Sequence, residues 1–454
     1  MEKDKTIGAE KLVALFDSGT FAEVGAYLKR NDGDKTGVVC GYGAVNGKLV
    51  YAFAQDSDRQ KGAFDAFQAK KIGMIYDAAM KNGAPVVGLF DSIGAYVGDG
   101  ASALSAYGSL LANVSRASGV IPQIAVITGV CSGMAATAAA MFDLTVTVKE
   151  TSKWFVNAPF LIGKDAGTAE AVAANGLSAL TAESEADALA KVRRLIDLLP
   201  ANCEEGVMDG EITDDINRAV AVDGLTGKAA IEAIADLGEV IELGDAFAPE
   251  AVTAIARIGG VTCGFVASNA EINGGAITGN AAKKIAKLVS FCDAFGLPVV
   301  TLVDSEGVAV SAAEESEAIA SALGKLAMTY ATATTAKITV VIGKAYGASF
   351  TLMGSKALGT DTVYATANAS ISIMKPESAV AFLWNNRITE ETTRADLVAE
   401  WNETCAAPEA AAADGSIDDV IAPAELRSRI CSAVYMLLMK SDGNPDRKHC
   451  NFPL

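Results

Sequence analysis

The sequence predicts an α/β protein built from two tandem domains that arose by internal duplication. The first observation is a long repeat: residues 62–95 return as residues 275–308 at a constant offset of 213, with 14 of 34 positions identical. The second is a shorter repeat, in which the block that begins at Ile124 returns at Ile338 with an offset of 214. Solenoid repeats span about 20 to 50 residues, so a repeat of this period is domain-sized.

Composition agrees with two packed cores. The chain has 454 residues, of which 51% are hydrophobic and 20% are charged, enough for two α/β domains. Its apolar runs are shorter than the ~20 residues of a membrane span, and no signal peptide is expected at its start. Because residues 201–225 are polar and acidic, as in a linker, we expect one domain in residues 1–225 and a second in residues 226–454.

Turn residues and hydrophobic periodicity predict the elements of the first domain. Asn46-Gly47 is a hairpin turn signal between two extended runs. Residues 86–90 and 124–128 are short apolar runs typical of buried parallel strands. Helices are expected at residues 9–16, 66–80, 102–117, 134–142 and 183–199, and a further strand at residues 144–148.

The second domain is expected to repeat this order. Lys71 is expected on a helix of the first domain and Lys284 on a helix of the second, and for both lysines exposure to solvent is the default expectation. The alanine-rich residues 406–413 are expected to be a helix or a mobile segment. The remaining elements are expected at residues 228–237, 362–365, 370–373, 417–421 and 424–439, with a hairpin inside residues 252–266.

Charge and histidine content argue against several classes of function. The net charge is −18, whereas a nucleic-acid-binding face is basic. His449 is the single histidine, so a Ser-His-Asp hydrolase and a His-ligated metal centre lack their key residue, and no metal site is expected. The eight cysteines contain no C-x-x-C pair, which favours reduced cytosolic thiols. The chemistry must therefore use backbone amides, carboxylates, lysines, hydroxyls or a carried cofactor.

A pair of glycines follows a buried strand in each domain, Gly129 with Gly133 and Gly343 with Gly347. A tight turn before a helix presents unpaired N–H groups and the positive end of the helix dipole at one point. Such a point is an oxyanion hole, worth about 3 to 4 kcal/mol per donor. The alternative is that the glycines only permit close packing of helix on strand. The matching positions in both domains favour the oxyanion hole.

Four residues near these turns have two interpretations each. Asp91 and Asp304 end their strands, and each is either catalytic or, as is commoner for a carboxylate before a glycine turn, a helix N-cap. Lys344 is placed best to contact an anion, although a solvated lysine is the default. Tyr346 either orients a substrate or packs.

Several motifs are those of a known family. They are Asp91-Ser92-Ile93-Gly94-Ala95, GVCSGMA from Gly129, DAFAP from Asp245, GKAYGAS from Gly343 and MGSK from Met353. With these motifs the whole chain resembles the carboxyltransferase subunit of biotin-dependent acyl-CoA carboxylases of the propionyl-CoA carboxylase beta type. It is equally similar to the alpha subunit of the biotin-dependent, sodium-pumping decarboxylases of anaerobes.

The resemblance implies two tandem crotonase-like (ClpP/crotonase) domains in a homo-oligomer, from dimer to hexamer, with active sites where the first domain of one subunit faces the second domain of another. It implies transfer of a carboxyl group, through an enolate, between biotin and a short acyl-CoA: propionyl/methylmalonyl, acetyl/malonyl or glutaconyl. The first domain would take the acyl-CoA and the second the biotin. A separate biotin carboxyl carrier protein and either a biotin carboxylase or membrane decarboxylase subunits are the implied partners. The implied location is cytoplasmic, at the membrane periphery if a pump is the partner.

The resemblance also implies a role for individual residues. The amides of Gly133 and Met134 would hold the thioester carbonyl of the acyl-CoA. Those of Ala348 and Ser349 would hold the ureido oxygen of biotin. Thr351 lies at a position that lines the acyl pocket in the family. The implied substrate-binding residues are Gly94, Ala95, Ser132, Gly347, Tyr346, Lys344 and Thr351.

The sequence departs from the family at Ile93, Tyr96, Met134 and Glu306. Tyr96 replaces an arginine of the family, Met134 replaces a glycine and is expected to narrow the acyl pocket, and Glu306 stands where the family has proline. Two alternatives follow from the residues. A catalytically silent scaffold for the carrier protein is one, and a crotonase-type hydratase or isomerase that uses Asp304 with Glu306 is the other.

Overall fold

The computed structural model describes residues 6–30, 36–163, 165–206, 210–238, 240–446 and 448–453. It contains two compact units, Met1–Gly206 and Val207–Leu454. Most of the predicted linker packs within the second unit, because Val220 and Val222 are buried in that unit's core. Asp214 also lies 3.2 Å from a guanidinium nitrogen of the fully buried Arg427. A polar, acidic composition therefore did not identify an exposed linker here.

The first unit is a mixed sheet of eight strands with helices packed on it. The strands lie in the order β1-β2-β3-β4-β5-β6-β8, and β7 pairs with β5. The strands are β1 Ala22–Glu23, β2 Val38–Val45, β3 Lys48–Gln55, β4 Val86–Ser92, β5 Gln123–Ser132, β6 Leu144–Val148, β7 Lys153–Phe155 and β8 Leu180–Ala182; the helices are α1 Ile7–Leu15, α2 Ala66–Asn82, α3 Ala101–Ala117, α4 Met134–Ala140, α5 Pro159–Ile162, α6 Ala169–Ala174 and α7 Glu185–Leu198.

Local sequence explains how the first sheet is built. The Asn46-Gly47 turn joins β2 and β3 in an antiparallel hairpin, in which Val45 pairs with Lys48. From β3 to β8 the neighbouring strands are parallel, so their apolar residues are covered by helices. Asp65 caps α2 by accepting a hydrogen bond of 2.8 Å from the Gln68 N–H. The hairpin and the parallel strands predicted from sequence are confirmed.

The second unit repeats this arrangement, with strand order β9-β10-β11-β12-β13-β14-β16 and β15 paired with β13. The strands are β9 Ile241–Leu243, β10 Ala251–Ile258, β11 Val261–Ser268, β12 Val299–Ser305, β13 Lys337–Tyr346, β14 Thr362–Thr366, β15 Ser370–Ser372 and β16 Asp419–Ile421; the helices are α8 Gly227–Ile234, α9 Gly279–Ala294, α10 Ala312–Ser316, α11 Ile319–Thr332, α12 Ala348–Leu352, α13 Pro376–Leu383, α14 Arg394–Thr404, α15 Pro408–Ala413 and α16 Leu426–Leu437.

The two sheets have the same register break at the same place. Strands β4 and β5 are in step through Phe90 and Ile127, and they pair again at Ser92 and Cys131. Strands β12 and β13 repeat the break after Val303. The duplication predicted from the sequence is thus confirmed in detail, including an irregular feature of the sheet.

The second unit has an additional small core between β15 and β16. Helices α13, α14 and α15 lie in this stretch, and Trp401 of α14 packs there with Ala379, Val380, Leu397 and Ala406. The alanine-rich residues 406–413 end in α15, as one of the two sequence alternatives predicted. Among the residues described in either unit, no helix has the length and apolar composition of a membrane span.

Candidate active site

Each unit has a glycine in its central strand that faces an aspartate. A methyl group on Gly129 would lie 2.3 Å from Asp91 Oδ1, and one on Gly343 would lie 2.3 Å from Asp304 Oδ1. Both glycines therefore sit inside β5 and β13, where the strand bulges around a carboxylate. The strands were predicted to end before these glycines, but they continue to Ser132 and Tyr346. Local sequence could not reveal this, because pairing with β7 and β15 extends the strands.

The two aspartates hold the bulges in place. Asp91 Oδ1 accepts a hydrogen bond of 3.2 Å from the N–H of Val130, and Asp304 Oδ1 accepts one of 2.9 Å from the N–H of Lys344. The expectation that they cap helices is wrong, because neither precedes a helix. Asp91 also lies 3.9 Å from the ammonium of Lys11. These contacts give both carboxylates a role in the strand backbone.

The second glycine of each pair makes the turn into a short helix. Gly133 has φ 59° and ψ −125°, and Gly347 has φ 57° and ψ −132°, a region that side chains other than glycine rarely adopt. The N–H of Gly133 donates to Phe155 O at 3.0 Å, and that of Gly347 donates to Ser372 O at 2.9 Å. The Gly133 N–H, expected to hold a thioester carbonyl, is therefore already used by β7.

The amides that follow these glycines are free. Among the described residues, the N–H groups of Met134, Ala348 and Ser349 have no acceptor, as expected for the first positions of a helix. Ser349 is fully buried, and its hydroxyl donates to Tyr346 O at 2.8 Å. The side chain of Ser349 therefore fixes the turn, and its backbone remains available.

A second free amide lies in the loop after β4 and after β12. In the first unit the Phe64 N–H donates to Gly94 O at 2.7 Å, and the Tyr96 N–H donates to Phe64 O at 2.8 Å. The N–H of Ala95, between them, points away from Phe64 and has no acceptor among the described residues. Ile277 makes the same two bonds around Val308, each of 2.9 Å.

The free amides of each unit lie on adjacent segments. Ser92 pairs with Cys131, and a methyl group on Gly94 would lie 3.4 Å from Ser132 Oγ. We call Ala95 with Met134 the first amide pair, and Val308 with Ala348 the second amide pair. Sequence reasoning missed Val308, although its position 213 residues after Ala95 was a signal that could have identified it.

Charged side chains adjoin the second amide pair. The ammonium of Lys344 donates to Glu306 Oε1 at 2.7 Å, and Lys375 donates to the other oxygen of Glu306. These two bonds hold the pKa of Glu306 below its usual value, and the bond that Lys344 donates to Glu306 raises the pKa of Lys344. Tyr346 is buried, and its hydroxyl bonds to Ser370 Oγ at 3.2 Å, so packing accounts for this side chain.

A cavity of about 620 Å³ opens beside Gly347 and Ala348. Thr351 is one of the residues that line this cavity. The Trp401 indole N–H in its wall donates to Ser372 Oγ at 3.1 Å, which fixes the ring. Further lining residues are mostly apolar or small: Phe350, Ile371, Ile373, Cys405, Ala411 and Asp414.

The first amide pair has different surroundings. The side chain of Met134 is 38% exposed and that of Ile93 is 50% exposed. The guanidinium of Arg30 lies 4.5 Å from the ring centre of Tyr96 and pairs with Asp65. A guanidinium thus lies beside the position where the family has arginine, although it comes from another part of the chain.

Lys71 and Lys284 are buried, so the expectation that they are solvated is wrong. The Lys71 ammonium donates to Glu23 Oε1 at 3.0 Å. The Lys284 ammonium donates to the carbonyls of Phe247 and Ala251 at 2.7 and 2.8 Å. Burial lowers the pKa of Lys284 to about 8. Both lysines tie a helix to backbone or side-chain acceptors and lie outside the amide pairs.

Known proteins are similar to this chain across almost its whole length. The carboxyl transferase domain profile matches residues 1–452. The putative propionyl-CoA carboxylase beta chain of Bacillus subtilis (strain 168) is 35% identical over 100% of this chain and 94% of its own length. The methylmalonyl-CoA decarboxylase alpha subunit of Veillonella parvula is 35% identical over 99% of this chain and 93% of its own length. A structure of transcarboxylase 12S, described as a hexamer assembly with methylmalonyl-coenzyme A bound, matches with TM-score 0.93 and 33% identity, covering 100% and 94%.

Proposed function

The chain belongs to the carboxyl transferase domain family, and we propose that it is the carboxyltransferase subunit of a biotin-dependent complex that acts on a short acyl-CoA. The observation that carries this proposal is the pair of free amide N–H groups in each unit, at matching positions of a duplicated fold. Carboxyl transfer needs two polarised carbonyls, one on the thioester and one on the biotin ureido group. Two oxyanion sites meet that need without a histidine.

The first amide pair is proposed to hold the thioester oxygen. Donors from Ala95 and Met134 stabilise the negative charge that grows on this oxygen as the acyl α-carbon becomes an enolate, by about 3 to 4 kcal/mol per donor. This assignment replaces Gly133 with Ala95, because the Gly133 N–H donates to Phe155 O. Gly133 instead sets the direction of the Met134 N–H.

The second amide pair is proposed to hold the ureido oxygen of biotin. Biotin, carried on a separate protein, supplies or receives the carboxyl group. The N–H groups of Val308, Ala348 and Ser349 have no acceptor among the described residues, and Ala348 lines the 620 Å³ cavity. Unpaired donors beside open space suit a neutral ureido oxygen, which accepts hydrogen bonds without adding charge.

The acyl group of a thioester held at the first amide pair of one subunit is proposed to enter the cavity that Thr351 lines in the second unit of a neighbouring subunit. Its walls are mainly apolar or small, so short aliphatic acyl groups suit it. Propionyl and methylmalonyl groups come first, since the similar proteins carry these names. Acetyl/malonyl and glutaconyl groups remain in the test.

The partners are proposed to be a biotin carboxyl carrier protein with either a biotin carboxylase or membrane decarboxylase subunits. The chain itself is proposed to act as a homo-oligomer in the cytoplasm, peripheral to the membrane if a decarboxylase pump is its partner. The hexameric assembly named for the transcarboxylase 12S structure supports an oligomer.

The test is a transfer assay with purified protein. Malonyl-, methylmalonyl- and glutaconyl-CoA are incubated separately with the protein, with and without free biotin, and each thioester is followed by chromatography. We expect biotin-dependent loss of one thioester, which names the acyl group. Binding of an acyl-CoA without loss of any thioester would instead support the silent scaffold.

A further inference from the structure

Three charged side chains from three segments meet beside the second amide pair. Glu306 lies in the loop after β12, Lys344 in the bulge of β13, and Lys375 directly before α13. Both lysines donate to the carboxylate of Glu306. The side chains of Lys344 and Lys375 are 49% and 50% exposed, so solvent and ligands reach both ammonium groups.

The duplication supplies an internal control for this cluster. Glu306 and Lys344 match Ile93 and Val130 of the first unit at offsets of 213 and 214. Lys375 matches Ala158, because each residue precedes a helix that begins with proline, α13 and α5. All three matching residues are uncharged. The two amide pairs thus share a backbone arrangement, and at these three matched positions only the second unit has charged residues.

The cluster has unused hydrogen-bond donors. An ammonium has three N–H donors, and within the described part of the chain Lys344 and Lys375 each donate to Glu306 alone. Asp304 is also near, since its carboxylate accepts from the Lys344 backbone. The two lysines, Glu306 and Asp304 therefore carry no net charge together, but they present several donors to solvent.

We propose that Lys344 and Lys375, spaced by Glu306, bind the carboxylate that is in transit during the reaction. This inference rests on the proposed function, in which biotin held at the second amide pair supplies or receives the carboxyl group. In the free protein the negative charge of Glu306 opposes an incoming carboxylate, while its two oxygens hold the two ammonium groups side by side. Their remaining N–H groups then bind the incoming carboxylate through charge-assisted hydrogen bonds.

The direction in which each variant changes carboxylate affinity distinguishes a binding role of the cluster from a purely structural role. Lys344→Met or Lys375→Met removes a donor and leaves the cluster with a charge of −1, so binding of a carboxylate weakens. Glu306→Gln removes a negative charge and leaves +1, so binding of a carboxylate is kept or strengthened. If the cluster served only to hold the loop in place, all three variants would impair binding.

The experiment compares two thioesters that differ by one carboxylate. Dissociation constants of methylmalonyl-CoA and propionyl-CoA are measured by calorimetry for the purified oligomer and for each variant. We expect each lysine variant to raise the dissociation constant of methylmalonyl-CoA about fivefold and to leave the dissociation constant of propionyl-CoA unchanged. Glu306→Gln should bind methylmalonyl-CoA at least as tightly as the wild type. Lys228→Met is the matched control, since Lys228 is a similarly exposed, ion-paired lysine of the same unit.

Three results with the variants overturn the inference. They are equal effects of the lysine variants on both thioesters, no effect on either, and weaker methylmalonyl-CoA binding in Glu306→Gln. Wild-type protein that binds both thioesters equally overturns this inference alone. Wild-type protein that binds neither overturns the proposed function and this inference with it, so the two failures are distinguishable.

Discussion

The two amide pairs have the same backbone and different neighbours. In both units a strand bulges around an aspartate, a glycine at positive φ turns the chain, and the next N–H is unpaired. Around the first pair lie Ile93 and Met134, both apolar and exposed. Around the second lie Glu306 and two lysines. Duplication preserved the backbone arrangement, because it depends on hydrogen bonds and glycines, while the side chains around it diverged.

The largest expected effects come from the two turn glycines. Gly133→Val and Gly347→Val place a β-branched side chain at φ near 60°, which displaces the following N–H. We expect each to lower carboxyl transfer by about 100-fold or more, measured by biotin-dependent loss of thioester. The comparison is sharpened by binding of free biotin, which only Gly347→Val should impair.

Gly296→Ala is the control for these glycine variants. Gly296 also has a positive φ, of 67°, and no atom lies within 4 Å of an added methyl group. The Gly296→Ala variant should transfer carboxyl groups at the wild-type rate. Wild-type transfer by Gly347→Val would place the second oxyanion site elsewhere.

The bulge glycines test stability. In Gly129→Ala and Gly343→Ala the new methyl group displaces an aspartate carboxylate, and we expect the free energy of unfolding to fall by about 3 and about 2 kcal/mol respectively. The larger loss belongs to Gly129, because moving Asp91 also takes a carboxylate from the buried Lys11. Urea unfolding midpoints would measure both. Equal losses would show that the Lys11 contact is irrelevant.

The buried Lys284 should make the stability depend on pH. Lys284 has carbonyl partners where Lys71 has Glu23, and its pKa falls from 10.5 to about 8. The folded state therefore binds this proton less well than the unfolded state, so the penalty is complete below pH 8 and is relieved as the pH rises toward 10.5. Relative to Lys284→Met, the wild type should gain about 1.5 kcal/mol between pH 8 and 9.5.

Urea unfolding across this pH range, with the exposed Lys283→Met as control, measures the gain. The control should keep the same pH dependence as the wild type. A constant difference between the wild type and Lys284→Met would mean that Lys284 keeps its proton throughout.

The smallest expected effect concerns acyl choice. Thr351 lines the cavity, and Thr137 occupies the matching, exposed position of the first unit. Thr351→Leu should reduce the preference for methylmalonyl-CoA over malonyl-CoA by about fivefold, because a larger side chain removes room for the extra methyl group. The ratio of kcat/KM values measures this. Thr137→Leu should leave the ratio unchanged. An equal change of the ratio in both variants would mean that Thr351 does not line the acyl pocket.

The sequence by itself determined the duplication, the strand and helix order, and the two glycine turns. These features depend on local signals, such as Asn46-Gly47, apolar runs and a repeat offset, and motifs along the chain identified the family before any contact was known. Met134, Ala348 and Ser349 were predicted as site residues in this way. Their N–H groups are free because the start of a helix always leaves them so.

The tertiary structure alone decided which groups near these turns were already paired. The Gly133 N–H is taken by Phe155, Asp91 fills a bulge, Lys284 is buried, and Lys375 reaches Glu306 from 69 residues away. Each is a contact between segments that are distant in sequence. Hydrogen-bond partners of this kind follow from strand pairing and packing, and no local pattern of residues encodes them.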